Sequence, residues 1–404
     1  MEVSKDKSID AGGTQSVVQG TAYSLGERFS NWADASAGSI LIWPGMIIVI
    51  VLSIFPLFIS LYLALSRFQF SAGGIEAPFV GFYNFDKLLF GSGQRGFLGK
   101  FAQGNPGDLS PAEFITNLGP VEIILLLGFV GLMFFMMFRY VTSPRVKVLG
   151  IVTRLLAIFI GGLLAWVCIS TLTGNGLPGS LVVTLIFVFG GVSLQYAIGL
   201  GLAMLLTQEL PGKRFFRIAF LLPMMITPVG IGFLFRMLTD TSKGPFAPLW
   251  VAAGLGNYSW VSTGQGARLA IMIGDVWQWT PLMFIILLAA LEGVSREAIE
   301  AALVDGANRI NLFRYIILPQ IIPVSTTLIL IRIIEAFKII DLPQTLTGGG
   351  PGTATETMTL QAYKYSRTSD LSGSAAQAYL LLFVVTFVAI VFVSSVRRRL
   401  LERL

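Results

Sequence analysis

The stretch that decides how this chain is read is Ser295-Arg-Glu-Ala-Ile-Glu-Ala-Ala-Leu-Val-Asp-Gly-Ala-Asn-Arg-Ile-Asn-Leu-Phe-Arg-Tyr-Ile-Ile-Leu-Pro319. It is polar and Ala-rich, and it lies between two long apolar runs. Ser295 is placed to cap a helix, and Glu297 falls in that helix's first turn, where a carboxylate suits the positive end of the dipole. Glu297, Ala298, Glu300, Ala301 and Ala302 are mostly good helix formers, and Gly306 is a natural stop. Asn311 can cap a second short helix ending before Pro319, the first position of the next apolar run. The expectation is two short helices joined at a glycine turn. Their small Ala faces admit a partner closely, and their acidic and basic rims can dock it.

The chain around this loop has 404 residues, of which 54% are hydrophobic and only 12% charged. Its mean hydropathy is +0.77. Ordinary soluble domains carry about 25% charged residues, so this chain cannot cover a water-soluble globule of its size. Eight stretches approach the roughly 20 apolar residues a membrane-crossing helix needs: about 40–65, 120–138, 149–170, 180–206, 216–238, 269–291, 319–338 and 377–395. Backbone groups in lipid must be satisfied internally, so runs this long are helices and not barrel strands. The fold class expected is an all-α integral membrane protein of about eight spans. With the N-terminus inside, Lys and Arg in the inner segments (Lys213, Arg214, Arg217, Arg296, Arg309, Arg314 and the cluster Arg397–Arg399 among them) outnumber those outside about twofold. That bias sets the orientation and puts both termini in the cytoplasm.

Several chemistries are excluded. There is no histidine, which removes Ser–His, Cys–His and His–metal sites, and the single cysteine, Cys168, removes an intrachain disulfide and any multi-Cys metal site. The Gly91–Lys100 region resembles a phosphate loop only loosely, because Gln94 stands where the first glycine is required and Phe101 replaces the hydroxyl. Gly348–Gly352 reads as a turn. The charge of +6 is sorted by membrane side and is no nucleic-acid patch. No paired-carboxylate or nucleophile constellation stands out.

The loop fits a longer pattern at Glu300, Ala301, Ala302, Asp305, Gly306, Ala307, Phe313, Ile316, Leu318 and Pro319. It resembles the EAA loop of the transmembrane subunits of bacterial ABC importers. Phe337-Lys-Ile-Ile-Asp341 with Leu346-Thr-Gly-Gly-Gly-Pro351, and Glu209-Leu-Pro-Gly-Lys213 with Leu222-Pro223, are similar to segments of the maltose and glycerol-3-phosphate group of carbohydrate permeases, larger-subunit type. Ile340 departs from the usual aromatic. The resemblance covers about residues 175–395. It implies a type I importer permease fold and a coupling role for Glu297, Glu300, Ala301, Ala302, Asp305, Gly306 and Ala307. It also implies a second permease subunit, two ATP-binding subunits that carry ATP and Mg, an extracytoplasmic solute-binding protein, and a sugar or polyol substrate. No cofactor is expected in the chain itself, which is read as a permease and not an enzyme.

Polar residues deep in spans are costly and usually face a cavity or a partner. Asp275, Gln278, Trp279 and Leu282 share one helical face in span six. A carboxylate, an amide and an indole suit a sugar, and the resemblance places a substrate site there, with Asp275, Trp279 and Leu282 replacing an Asn, a Gly and a Tyr. The alternative is that Asp275 and Gln278 bond to neighbouring helices. In span seven, Arg332, Glu335 and Lys338 follow at i, i+3 and i+6, with Asp341 after them. They form either a salt-bridge ladder, in which Glu335 can pair with either base, or a pathway wall. Gln195 and Tyr196 are weaker candidates, and Pro223 and Pro228 should kink span five. The competing functions are an ion-coupled transporter using Asp275 and Glu335, or a scaffold; neither explains the loop. The organisation expected is a cytoplasmic tail (1–38), three helices (39–174) with an outer loop (66–119), a permease core (175–396) with coupling loop (292–319), and a basic tail (397–404).

Overall fold

The computed structural model describes residues 42–71, 74–101, 119–141, 148–172, 176–208 and 211–401. The expected tail 1–38, much of the outer loop and the last three residues lie outside these. The chain divides into two compact units, Met1–Ile59 and Ser60–Leu404. Helix α1 (Ile42–Ala64) runs through the division. In the first unit its apolar side chains are exposed, as on a helix that meets lipid.

The second unit begins with a small cap. Strands β1 (Gln69–Ser71) and β2 (Gly74–Glu76) form an antiparallel hairpin. It is followed by α2 (Tyr83–Leu89), α3 (Gln94–Phe97) and β3 (Gly99–Lys100), which pairs with β4 (Leu177–Pro178). Buried Asn84 fastens the cap, its amide donating to the Ala64 and Ser66 carbonyls at 2.8 Å each. Helices α4 (Pro120–Val141) and α5 (Val148–Leu172) lead to α6 (Ser180–Leu206). Then come α7 (Lys213–Met225), α8 (Pro228–Leu238), α9 (Ala247–Ala252), α10 (Gly264–Glu292), α11 (Arg296–Val304), α12 (Arg309–Ala336), α13 (Met358–Arg367) and α14 (Leu371–Leu401).

Six helices among the described residues are long and apolar enough to cross a membrane, and α7 with α8 would make a seventh. They correspond to six of the eight expected spans. Span two is helical as α4, but its apolar stretch among the described residues is only Ile123–Phe135. Span five is not the kinked rod expected: α7 and α8 meet at 97°. Pro228 explains the break, because a residue before proline is pushed into extended backbone. Thr227 has ψ 143° and Ile226 ψ 139°. The Thr227 side chain then caps α8 by accepting from the Gly230 N–H.

The core is built on α6, α10, α12 and α14, with Leu185, Phe284, Leu287, Leu328 and Val384 in one buried cluster. Helix α6 packs along α10. On α6, Gly191, Gln195, Gly199 and Ala203 recur every four residues and are all buried. Small residues at that spacing let helix backbones approach in lipid, where packing replaces the hydrophobic drive. A Cβ on Gly199 would lie 2.6 Å from the Met283 Cβ and 3.0 Å from the Phe284 backbone nitrogen. Gly201, two positions on, has open space. Replacing Gly199 by leucine should therefore force α6 from α10 and abolish recovery of monodisperse protein in detergent, while Gly201→Leu should be recovered normally. Equal recovery of the two by size-exclusion chromatography would contradict this packing.

Candidate functional site

Both candidate regions lie on α10 and α12, one at the end of the helices and one in their interior. At the end, Ser295 caps α11 as expected. Its hydroxyl oxygen accepts from the Ala298 N–H at 3.2 Å and its O–H donates to the Glu297 carboxylate at 2.9 Å. The Glu297 carboxyl is held below its usual range by its own backbone N–H and then by Ser295. The charged form is favoured, so this support for the helix start is present at neutral pH and lost as pH falls through the lowered value. At the other end Gly306 takes φ +77°. Its N–H reaches the Leu303 carbonyl at 3.1 Å and the Ala307 N–H the Ala302 carbonyl at 2.9 Å. This double closure satisfies carbonyls the helix end would leave open, and it needs a left-handed residue at Gly306.

The second half of the loop differs from expectation. The cap is Asn308, which accepts from the Asn311 N–H at 2.8 Å, not Asn311 itself. No separate helix ends before Pro319; α12 runs on from Arg309 to Ala336. A π turn, Leu312–Ile317, ends one residue short of Pro319, where the ring removes a backbone donor. The second half of the loop, from Arg309, and the span thus form one helix. The tip of the loop is open to solvent: Glu300, Ala301 and Gly306 are exposed, as are the apolar Val304 (88%) and Ile310 (74%).

In the interior, three spans converge on one buried cluster. Arg332 of α12 donates from Nη2 to both carboxylate oxygens of Asp275 on α10, at 2.9 Å each. Its Nε donates to Oε1 of Gln195 on α6 at 2.9 Å, and Gln195 Nε2 donates to Asp275 Oδ2 at 2.7 Å. Asp275, Arg332 and Gln195 are 4%, 2% and 0% exposed. Gly191 leaves the room, since a Cβ there would sit 3.2 Å from Asp275 Oδ2. The Arg332 guanidinium also lies over the Trp279 ring, 4.7 Å from its centroid. A buried charge pair is tolerable only when its remaining donors and acceptors are satisfied, and Gln195 completes it. Removing one partner from such a pair costs about 3–5 kcal/mol.

The structure therefore brings Asp275, Gln278 and Trp279 to one face, as their spacing requires, and turns the polar groups inward. Gln278 is buried, its amide 3.5 Å from the Ile226 carbonyl at the α7–α8 break. Leu282 packs against the main core cluster. Glu335 pairs with Lys338 at 2.7 Å, both exposed, and not with Arg332. Tyr196 bonds across to Ser325 at 3.1 Å. An open, mostly apolar cavity of about 680 Å³ lies on the opposite side of α10, against Met272, Trp277, Thr280 and Phe284. Sequence reading missed the pairing of Asp275 with Arg332. The available signal was the presence of two opposite charges inside neighbouring apolar runs, each needing a partner in lipid.

The Gly-rich segment is a hydrogen-bonded turn. Gly348, Gly349 and Gly352 have positive φ. The Thr355 hydroxyl donates to the Gly350 carbonyl at 2.9 Å, and the Thr357 hydroxyl to the Ile339 carbonyl at 2.8 Å.

Residues 173–403 match the family model described as binding-protein-dependent transport system inner membrane component. The chain is 34% identical over 209 residues to the trehalose/maltose transport system permease protein MalF of Thermococcus litoralis, covering 52% of this chain and 71% of that protein. It is 31% identical over 228 residues to the sn-glycerol-3-phosphate transport system permease protein UgpA of Yersinia pestis, covering 54% and 75%. Among solved structures, a bacterial alginate ABC transporter, crystallised with an alginate pentasaccharide-bound periplasmic protein, is similar with a TM-score of 0.48. It is 18% identical, with 55% of this chain and 77% of that chain covered. The matched region contains the capped loop, the Gly-rich turn and all three spans of the buried cluster, and the chain belongs to the family of binding-protein-dependent transport system inner membrane components.

Proposed function

We propose that the chain is the membrane-spanning subunit of an ATP-driven importer, forming the path for a sugar, oligosaccharide or polyol delivered by an extracytoplasmic binding protein. Separate ATP-binding subunits, carrying ATP and Mg, engage the loop at Glu297, Glu300, Ala301, Ala302, Asp305, Gly306 and Ala307, and a second permease subunit completes the path. The observation that carries this reading is α11: a short helix capped at both ends, exposed at its tip, and joined by a short turn to α12, which runs into the membrane interior. Movement imposed on such a tip passes through the turn at Gly306–Asn308 into α12, the helix that carries Arg332. The relatives named for trehalose/maltose and for glycerol phosphate transport support the substrate class.

The loop end of the bundle is the cytoplasmic one in this reading, and both termini lie on that side. Its local charge supports this. Arg217 of α7 pairs with Glu292 at the end of α10 at 2.7 Å, and Lys213 reaches the same carboxylate at 4.0 Å. Arg296, Arg309 and Arg314 sit around the loop, as the excess of basic residues on inner faces requires. For the pathway we assign Trp279, Leu282, Glu335 and Lys338 to its wall, and Asp275 and Gln278 to positioning it. Asp275 acts through Arg332, whose guanidinium covers the Trp279 ring. An ion-coupled mechanism has little support, because Asp275 and Glu335 each already face a cation.

Three outcomes follow. Gly306→Val meets no neighbour but places a β-branched residue at φ +77°, a local cost of about 1–2 kcal/mol. It should reduce ATP-driven uptake at least tenfold with the protein still assembled, and unchanged uptake in proteoliposomes would sink the coupling role. Trp279→Ala should lower solute uptake while leaving the melting temperature within a few degrees; normal uptake would remove the pathway assignment. Asp275→Leu alone strands the Arg332 charge and should destabilise the chain by about 3–5 kcal/mol. Adding Arg332→Met should recover much of that stability but not uptake, as read by thermal denaturation in detergent and by transport.

A further inference from the structure

The hairpin of the cap has two unlike faces. Its register pairs Gln69 with Glu76 and Phe70 with Ile75, and the Ser66–Phe79 bridge continues the same register. Side chains alternate along a strand. Phe68, Phe70, Ile75 and Phe79 therefore share one face, and Arg67, Gln69 and Glu76 the other. The Phe68 and Phe70 rings meet edge to face, their centroids 5.1 Å apart. Yet Phe70, Ile75 and Phe79 are 68%, 68% and 66% exposed. A two-stranded hairpin is marginal in water at best and needs its apolar face covered.

What covers it follows from where the hairpin is fastened. Helix α1 ends at Ala64, two residues before the Ser66–Phe79 bridge. The Val80 N–H donates to the Leu65 carbonyl at 2.8 Å and the Arg67 N–H to the Pro78 carbonyl at 2.9 Å. The Tyr62 hydroxyl, in the last turn of α1, donates to the Ala77 carbonyl at 3.0 Å. The Phe68 N–H in turn donates to the Ser372 hydroxyl, in the first turn of α14, at 2.8 Å. Ala64 is buried in one cluster with Ala375 and Ala376 of α14. Both helices are long and apolar enough to cross a membrane, so their adjoining ends mark one boundary. The 23 residues of α1 rise about 35 Å, against about 30 Å of hydrocarbon. Its end, and the hairpin base tied to it, thus fall at headgroup level. An element with Phe on one face and polar groups on the other lies in the plane of that layer.

We propose that the hairpin is an interfacial anchor, lying on phospholipid at the end of α1. Phe70, Ile75 and Phe79 enter the boundary between headgroups and acyl chains, and Arg67, Gln69 and Glu76 face headgroups and water. The occupant is lipid because the face continues, within a few residues, from the exposed apolar surface of a membrane span. The proposal rests on α1 and α14 crossing the membrane and not on the coupling loop.

The test uses the full-length chain with Cys168→Ser and one of Phe70→Cys, Ile75→Cys, Gln69→Cys or Glu76→Cys, labelled with bimane in phosphatidylcholine nanodiscs. All four side chains are exposed, so the melting temperature should not change. Doxyl-labelled phosphatidylcholine should quench the labels at 70 and 75 at least twofold more than those at 69 and 76, and aqueous iodide should do the reverse. Equal quenching of the two pairs by the lipid probe would overturn the proposal. Stronger iodide quenching at 70 and 75 would do so too, by leaving the face open for a water-soluble protein. So would a disulfide between two Phe70→Cys chains in proteoliposomes with no lipid quenching there, which would assign the face to a second copy. Since quenching is read on this chain alone, failure of the coupling reading would leave this result intact.

Discussion

A carboxylate and a guanidinium held at 2.9 Å between two membrane spans constrain everything around them. Neither Asp275 nor Arg332 can face lipid, and neither can stay charged in the interior without the other. The rest of the bundle follows from meeting that demand. Gln195 must come from α6 to finish the hydrogen bonding, Gly191 must be small to admit it, and Gly199 and Ala203 continue the same stripe so that α6 lies close along α10. The three helices are therefore locked at one point and packed outward from it.

In the proposed reading, the same lock is what a coupling movement of the loop would act on. Helix α12 runs from Arg309 through Arg332, past a π turn at Leu312–Ile317 and the interior Pro323, so its exposed start and the buried cluster lie on one element. The π turn Leu312–Ile317 leads into Leu318 and Pro319 without ending α12, while the two caps fix both ends of α11.

Much of this was legible in the residues. The apolar runs located the membrane helices, and Ser295, Glu297 and Gly306 foretold the start and stop of α11, because caps and stops depend on local chemistry. The missed features depend on what lies far along the chain. The Asp275–Arg332 contact joins residues 57 apart and the Gln195–Asp275 contact residues 80 apart. Periodicity reads one helix at a time and cannot choose a partner, so Glu335 was as good a match for Arg332 as Asp275. The 97° break was only half visible. Pro228 marks where the helix must fail, but the angle is set by packing against α10. The continuity of α12 through Pro319 was hidden because a π turn has no strong residue signature.

The central claim is that the tip of α11 is the contact through which ATP-driven motion enters the membrane bundle. Cysteine cross-linking tests it most directly, since Cys168 is the only native cysteine. In a Cys168→Ser background, Ala301→Cys should cross-link to single cysteines placed around the surface cleft of an ATP-binding subunit. The cross-link should stop solute uptake and reverse on reduction. Failure to cross-link at any cleft position in a complex that still imports solute would contradict the account.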